Sequence, residues 1–192
     1  MAQPDARSAT YADLRRLPDN VVGEILDGEL HVSPRPAPRH ADASSGLGGA
    51  LRGPFDRGRG GPGGWRILDE PELHLGPDVI VPDLAGWRRE RLPQLPETAY
   101  VAVAPDWVCE VLSPSTASID RVKKLRSYAR EGVPHAWLVD PLARTVEILR
   151  LENGRWSIIG MHAGLETIQA EPFEALDLDL SLLFEEEPDT PR

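Results

Sequence analysis

Glu110 lies inside the apolar run Trp107-Val108-Cys109-Glu110-Val111-Leu112. A carboxylate there is costly unless a cation, a hydrogen-bonding partner or a metal compensates it. A second acid, Asp83, ends the run Val79-Ile80-Val81-Pro82-Asp83, and Asp120 and Lys124 follow at helical spacing. Two acids at strand ends with a lysine nearby outline a hydrolytic metal site. Period-two alternation sets Val108, Glu110 and Leu112 on one face of their strand and Trp107, Cys109 and Val111 on the other. If this strand pairs with the one ending at Asp83, both carboxylates project into one pocket. Hard oxygen ligands at a partly open site favour Mg²⁺ or Mn²⁺, which keep several waters and accept a substrate phosphate. The same residues also allow a plainer reading, in which Asp83 caps a turn and Glu110 faces water at a sheet edge.

Further candidates surround this pair. Asp120 and Lys124, taken alone, read as a surface i,i+4 pair worth about 0.3–0.5 kcal/mol. Lys124 is nonetheless the kind of group that orients a water or stabilises charge on a phosphate. The arginines and lysine at 121, 123, 126 and 130 read as a solvated helix face. Glu24 alternates in phase with Val22 and Leu26, and His40 opens the next helix. Either could reach the pocket, although an edge-strand glutamate and a helix-start histidine are the plainer readings. Cys109 reads as a small core residue. The chain contains no Gly-x-Ser-x-Gly elbow, no phosphate-binding Gly-x-x-x-x-Gly-Lys, no His-Glu-x-x-His and no Gly-x-Gly-x-x-Gly after a strand.

The elements that must position these residues follow from turn and periodicity signals. A short helix is expected over 11–17, then strands over 21–26 and 30–33 around Asp27-Gly28, a hairpin dipeptide. The prolines of 34–39 predict an extended stretch, with a helix over 40–51 that its glycines weaken. Residues 53–64, rich in Gly, Pro and Arg, read as a mobile loop, and Arg88, Arg89 and Arg91 form a local basic patch. Strands are expected over 65–68, 72–75 and 79–87, the last with Pro82 at an edge or bulge, and a short one over 100–103. A strand over 107–112, a helix over 119–131 and a strand over 135–139 form a crossover long enough to join parallel strands, which sets the class as α/β or mixed α+β. Asn153-Gly154 predicts a hairpin, and residues 176–184 a terminal turn or short helix.

The 192 residues suit one domain, expected over 11–184 between a flexible leader (1–10) and an acidic disordered tail (185–192). The net charge of −10 argues against a generally basic nucleic-acid surface, yet residues 171–192 hold eight acids against one arginine. One cysteine excludes an internal disulfide and a Cys-based zinc cluster. With no signal-like start and no run of membrane-spanning length, a cytoplasmic location away from the membrane is expected.

The string Glu110-Val111-Leu112-Ser113-Pro114-Ser115-Thr116, with Asp120, Lys124 and Tyr128, then Gly132-Val133-Pro134 and Trp137-Leu138-Val139-Asp140-Pro141, resembles the Uma-type family of restriction-endonuclease-like proteins. This family is a branch of the PD-(D/E)XK nuclease superfamily. The similarity extends from about Tyr11 to Phe184, including Glu24 before Asp27-Gly28, the proline-rich lead into His40, and Pro82-Asp83. It implies a restriction-endonuclease-like core, a mixed central sheet flanked by helices. It further implies Asp83 and Glu110 as divalent-metal ligands (Mg²⁺ or Mn²⁺) and Lys124 as the catalytic lysine, with Glu24 an accessory acid and His40 a further catalytic candidate. The chain departs from the superfamily pattern at Leu112, where a lysine is expected two residues after the acid; in the resembled family the following helix supplies it, which Lys124 matches. His135-Ala136 before Trp137 and the glycine-laden helix are further departures. The expectation is a metal-dependent endonuclease hydrolysing phosphodiester bonds, with DNA the favoured partner and a homodimer compatible with double-strand cleavage. The rival is a non-catalytic nuclease-fold module that binds a protein or nucleic acid.

Overall fold

The computed structural model describes residues 8–184. The chain begins with α1 (Tyr11–Leu14), capped by Thr10, whose backbone and hydroxyl both donate to Asp13. The amide of Ala9 donates to the carbonyl of Gly28, so this end of the expected leader is tied to the hairpin that follows. That hairpin joins β1 (Val21–Leu26) to β2 (Glu29–Pro34). Asp27 and Gly28 both take positive φ, the geometry a two-residue turn between twisted strands requires. The expected extended stretch is shorter than its prolines suggest. Helix α2 (Pro38–Leu51) starts on Pro38, whose missing N–H costs nothing in the first turn.

Residues 53–64 were expected to be a mobile loop, and the first part is not. A π-helical segment, Arg52–Asp56, continues α2 and buries Phe55 and Asp56. Phe55 packs into the aromatic core, and Asp56 accepts from the Ile67 amide and pairs with Arg89.

The remaining strands are β3 (Trp65–Asp69), β4 (Leu73–Leu75), β5 (Asp78–Ile80), β6 (Leu84–Arg88), β7 (Trp107–Val111), β8 (His135–Asp140), β9 (Thr145–Glu152), β10 (Arg155–Ala163), β11 (Thr167–Ile168) and β12 (Leu178–Asp179). A second π-helical segment, Ile119–Lys124, runs into α3 (Leu125–Arg130). The expected single strand over 79–87 is two strands in different sheets. Pro82 lacks the N–H a central ladder needs, so β5 ends before it and β6 begins after Asp83. The expected strand over 100–103 reduces to one parallel bridge between Val101 and Leu73. Residues 178–182 form β12 and a short 3₁₀ turn.

One sheet has the order β2-β1-β5-β4 and is antiparallel. The main sheet has the order β10-β9-β8-β7-β6-β3, with β7 and β8 parallel and every other pair antiparallel. Strand β7 is therefore central and covered on both faces, which explains its near-continuous apolar run. Trp107, Cys109 and Val111 face α2 in a core with Trp65, Trp137 and Phe173, while Val108 and Leu112 face Tyr128 and Leu125.

The glycines of α2 serve close approach. A Cβ on Gly46 would lie 2.1 Å from the carbonyl oxygen of Leu182, so the C-terminal turn docks directly on the helix backbone. Gly49 has nothing within 4 Å. Gly46→Ala should therefore destabilise the fold by about 1–3 kcal/mol through overpacking. Gly49→Ala should stabilise it by about 0.5–1 kcal/mol through helix propensity. Urea unfolding of both variants checks this, and equal shifts of one sign would mean the C-terminal turn does not dock there.

Candidate active site

Four segments converge at the carboxyl end of β7. Register places Leu84 opposite Cys109, so the next antiparallel step brings Asp83 opposite Glu110. Asp83 thus sits at the crossing from one sheet to the other, and its Oδ2 accepts from the Val111 amide at 2.6 Å. The first turn of α2 brings His40 to it, with Nε2 3.2 Å from Asp83 Oδ1. Burial pushes the His40 pKa down, but the hydrogen bond and charge of Asp83, with the Val111 backbone, more than offset this and leave it raised.

Glu110 is 2% exposed and projects toward the helix, not to water at an edge. Lys124 Nζ lies 3.0 Å from its Oε2, and the Tyr128 hydroxyl donates to its Oε1 at 2.5 Å. The same ammonium lies 3.0 Å from Glu24 Oε1 and 3.3 Å from Asp120 Oδ1, and donates to the Val81 carbonyl at 3.3 Å. Glu24 comes from β1, an internal strand, and also accepts from the Val81 amide at 2.8 Å. The five expected residues Glu24, His40, Asp83, Glu110 and Lys124 all line one cleft of about 290 Å³, with Asp120 among them.

The electrostatics follow from burial. Removal from water pushes the Glu110 carboxyl well above its usual range, against the pull of Lys124. Burial likewise raises Asp120. For Lys124, burial disfavours the charge, but Glu110, Glu24, Asp120 and Asp83 together outweigh it and hold the ammonium well above its ordinary pKa. Burial and the neighbouring Glu110 raise Tyr128, which keeps it a donor.

Two participants were missing from the sequence-based site. Asp120 read as half of a surface pair, yet it is 2% exposed. Tyr128 belonged to the quoted motif without a role. Asp120, Lys124 and Tyr128 are spaced i, i+4, i+8, one face of a helix, and that stripe of polar residues was the available signal. Leu112, where the superfamily pattern expects lysine, is buried in the same apolar cluster as Tyr128.

The donor set fits a divalent cation. Four carboxylates face one buried ammonium and one imidazole, so hard oxygen donors outnumber the cationic groups beside them. Among the described residues no three His, Cys, Asp or Glu side chains converge into a preformed cage. Mg²⁺ is commonly held with fewer, by one or two carboxylates completed by water and substrate phosphate, the arrangement Asp83 and Glu110 offer.

No helix among the described residues is long and apolar enough to cross a membrane. No curated protein matches the sequence. A crystal structure described as a putative nuclease belonging to DUF820, from Anabaena variabilis ATCC 29413, superposes with a TM-score of 0.73 at 22% identity, covering 91% of this chain and 97% of that one. The likeness shows a restriction-endonuclease-like core, the mixed sheet with flanking helices that the motifs implied. The profile of the Uma2 family, described as "Putative restriction endonuclease", matches residues 10–182. Over almost all of its described length, this chain belongs to the Uma2 family.

Proposed function

We propose that this chain is a divalent-metal-dependent nuclease that hydrolyses phosphodiester bonds, with DNA as its substrate and Mg²⁺ or Mn²⁺ as its cofactor. The observation that carries the reading is the buried Lys124 ammonium, held by Glu24, Glu110 and Asp120 in the cleft that Asp83 also lines.

A divalent ion held by Asp83 and Glu110 would supply Lewis acidity toward the phosphate and make water a better nucleophile at neutral pH. The chain's own residues do the rest. Tyr128 and Lys124 fix the two oxygens of Glu110, and His40 and the Val111 amide fix those of Asp83. Both carboxylates are thus oriented before substrate arrives, each oxygen keeping a further lone pair. Lys124 stays charged because three acids surround it, and it presents that charge where negative charge develops on the attacked phosphate. Glu24 and Asp120 act through Lys124, holding it in place. His40 is a positioning residue for Asp83. A homodimer would present two such clefts to the two strands of a duplex.

One observation favours a non-catalytic module: Lys124 already answers Glu110 without any ion. A melting titration separates the two. Millimolar Mn²⁺ should raise the melting temperature, because an ion that binds only the folded state stabilises it by mass action. Asp83→Asn and Glu110→Gln should each abolish that rise. A full rise in both variants would mean the ligands lie elsewhere, and no rise in the wild type would favour the non-catalytic module.

Lys124→Ala should behave differently. It strands three buried acids, so the metal-free protein should lose about 3–5 kcal/mol, and the melting rise with Mn²⁺ should grow because the ion replaces the missing cation. Cleavage of duplex DNA at saturating Mn²⁺ should nonetheless fall by at least about a hundredfold, the scale of one lost transition-state contact. Lys123 pairs with Glu29 and His31 on the hairpin, so Lys123→Ala is the matched control and should cleave nearly normally. Equal loss in both would point to general charge attraction.

A further inference from the structure

The arginines of residues 57–59 and 88–91 gather at the end of the main sheet opposite the cleft. The Arg89 amide donates to the Gly64 carbonyl at 2.9 Å, and its guanidinium reaches the carbonyl and Oδ1 of Asp56 at 2.8 and 2.6 Å. The end of β6 is thereby bolted to the loop that carries Arg57 and Arg59. Two of these arginines answer acids: Arg89 pairs with Asp56 and Arg91 with Asp106. The other three do not. Arg57 and Arg59 are exposed, and among the described residues their guanidinium groups have no hydrogen bond, ion pair or ring contact. Arg88 is exposed and lies 4.1 Å over the ring of Trp65, directly opposite it in the β3–β6 ladder, with no carboxylate partner for its guanidinium.

In a chain of net charge −10, acids to neutralise three arginines are plentiful, yet none, the exposed Glu90 of the same segment included, pairs with Arg57, Arg59 or Arg88. Like charges kept together repel one another, and they suit an anionic ligand that supplies the missing charge. Stacking on Trp65 restrains the Arg88 guanidinium while leaving its N–H groups open, a preorganised phosphate binder.

The position matters as much as the charge. Helix α2 starts at the cleft, where His40 lines it, and runs for about 21 Å to Arg52 beside Asp69, from where the π-helical segment leads on to Arg57 in the patch. Along the main sheet, Asp83 and Arg88 are separated by about 16 Å. The outward row of α2 is Ala41, Ser45 and Gly49, followed by Gly53 in the π-helical segment, and nothing lies within 4 Å of a Cβ placed on either glycine. No large side chain stands between cleft and patch on that row.

We propose that Arg57, Arg59 and Arg88 form a platform for the phosphate backbone of nucleic acid, which runs along the outer side of α2 from the cleft. Its placement rests on the nuclease reading of the cleft; its binding does not. At 3.4 Å per nucleotide of one strand, the platform engages phosphates about five or six positions from the one in the cleft.

The test measures binding and small-substrate hydrolysis separately, on the full chain. Anisotropy of a labelled duplex in EDTA, over a range of salt, should show Arg57→Ala/Arg59→Ala binding at least about tenfold more weakly at low salt, with the log–log salt slope shallower by about two. Arg57→Lys/Arg59→Lys should keep the slope. The control Arg126→Ala/Arg155→Ala removes the same charge from elsewhere and should leave both nearly unchanged. Bis-p-nitrophenyl phosphate is too small to span both places, so its Mn²⁺-dependent hydrolysis should be equal in wild type and the Arg57/Arg59 variants. Unchanged duplex affinity and slope in Arg57→Ala/Arg59→Ala would overturn the platform, as would an equal loss in the control. Binding to anionic phosphatidylserine vesicles with none to duplex would overturn the assignment to nucleic acid. A wild type that hydrolyses neither substrate would overturn only the nuclease reading, and the platform would still stand on the loss of duplex binding.

Discussion

A single buried ammonium organises this protein. Lys124 is enclosed by acids from three separate segments and by the carbonyl of Val81 from a fourth. No partner here is optional: a carboxylate removed from water needs the lysine, and the lysine removed from water needs the carboxylates. The two sheets and the helix between them are therefore fixed relative to one another by charge as much as by apolar packing. The π-helical start of the helix fits this role, since wider turns are frequent where side chains must be re-aimed at a functional site.

The second constraint is the crossing at Val81-Pro82-Asp83. Three residues carry the chain from β5 in one sheet to β6 in the other, and both backbone groups of Val81 are used by the charge cluster, its amide by Glu24 and its carbonyl by Lys124. Just upstream, Asp78 clamps the smaller sheet to α3. It accepts from the Asp27 amide at 2.9 Å, from Arg130 at 2.8 Å and from the Ser127 hydroxyl. Burial pushes its carboxyl up, but those hydrogen bonds prevail and hold it below its usual value. Asp83 is thus delivered to Glu110 by a link anchored on both sides.

Much of this was legible in the sequence, for identifiable reasons. The parallel β7–β8 crossover, both hairpins and the faces of β7 follow from periodicity and turn chemistry, and the acid in a strand that is otherwise wholly apolar lines the cleft that Asp83 and Lys124 also line. The split of residues 79–87 was hidden, because a continuous apolar run reads the same whether it serves one sheet or two; only Pro82 hinted at a break. The burial of Asp120 was hidden too, because an i,i+4 pair has the same spacing on a wet face as on a dry one. The docked start of the 53–64 segment escaped because Gly, Pro and Arg signal a loop, while Phe55 and Asp56, which fasten it, are only two residues.

The charge cluster has a temporal consequence. Glu24 is laid down early and meets its partners only after Asp83, Glu110 and Lys124 have followed, and β7 is not flanked on both sides until β8 has also been made. No shorter fragment holds the assembled acids and their lysine. The cleft is therefore a late product of synthesis, and a chain that has not yet made β8 lacks the parallel neighbour that covers the strand bearing Glu110.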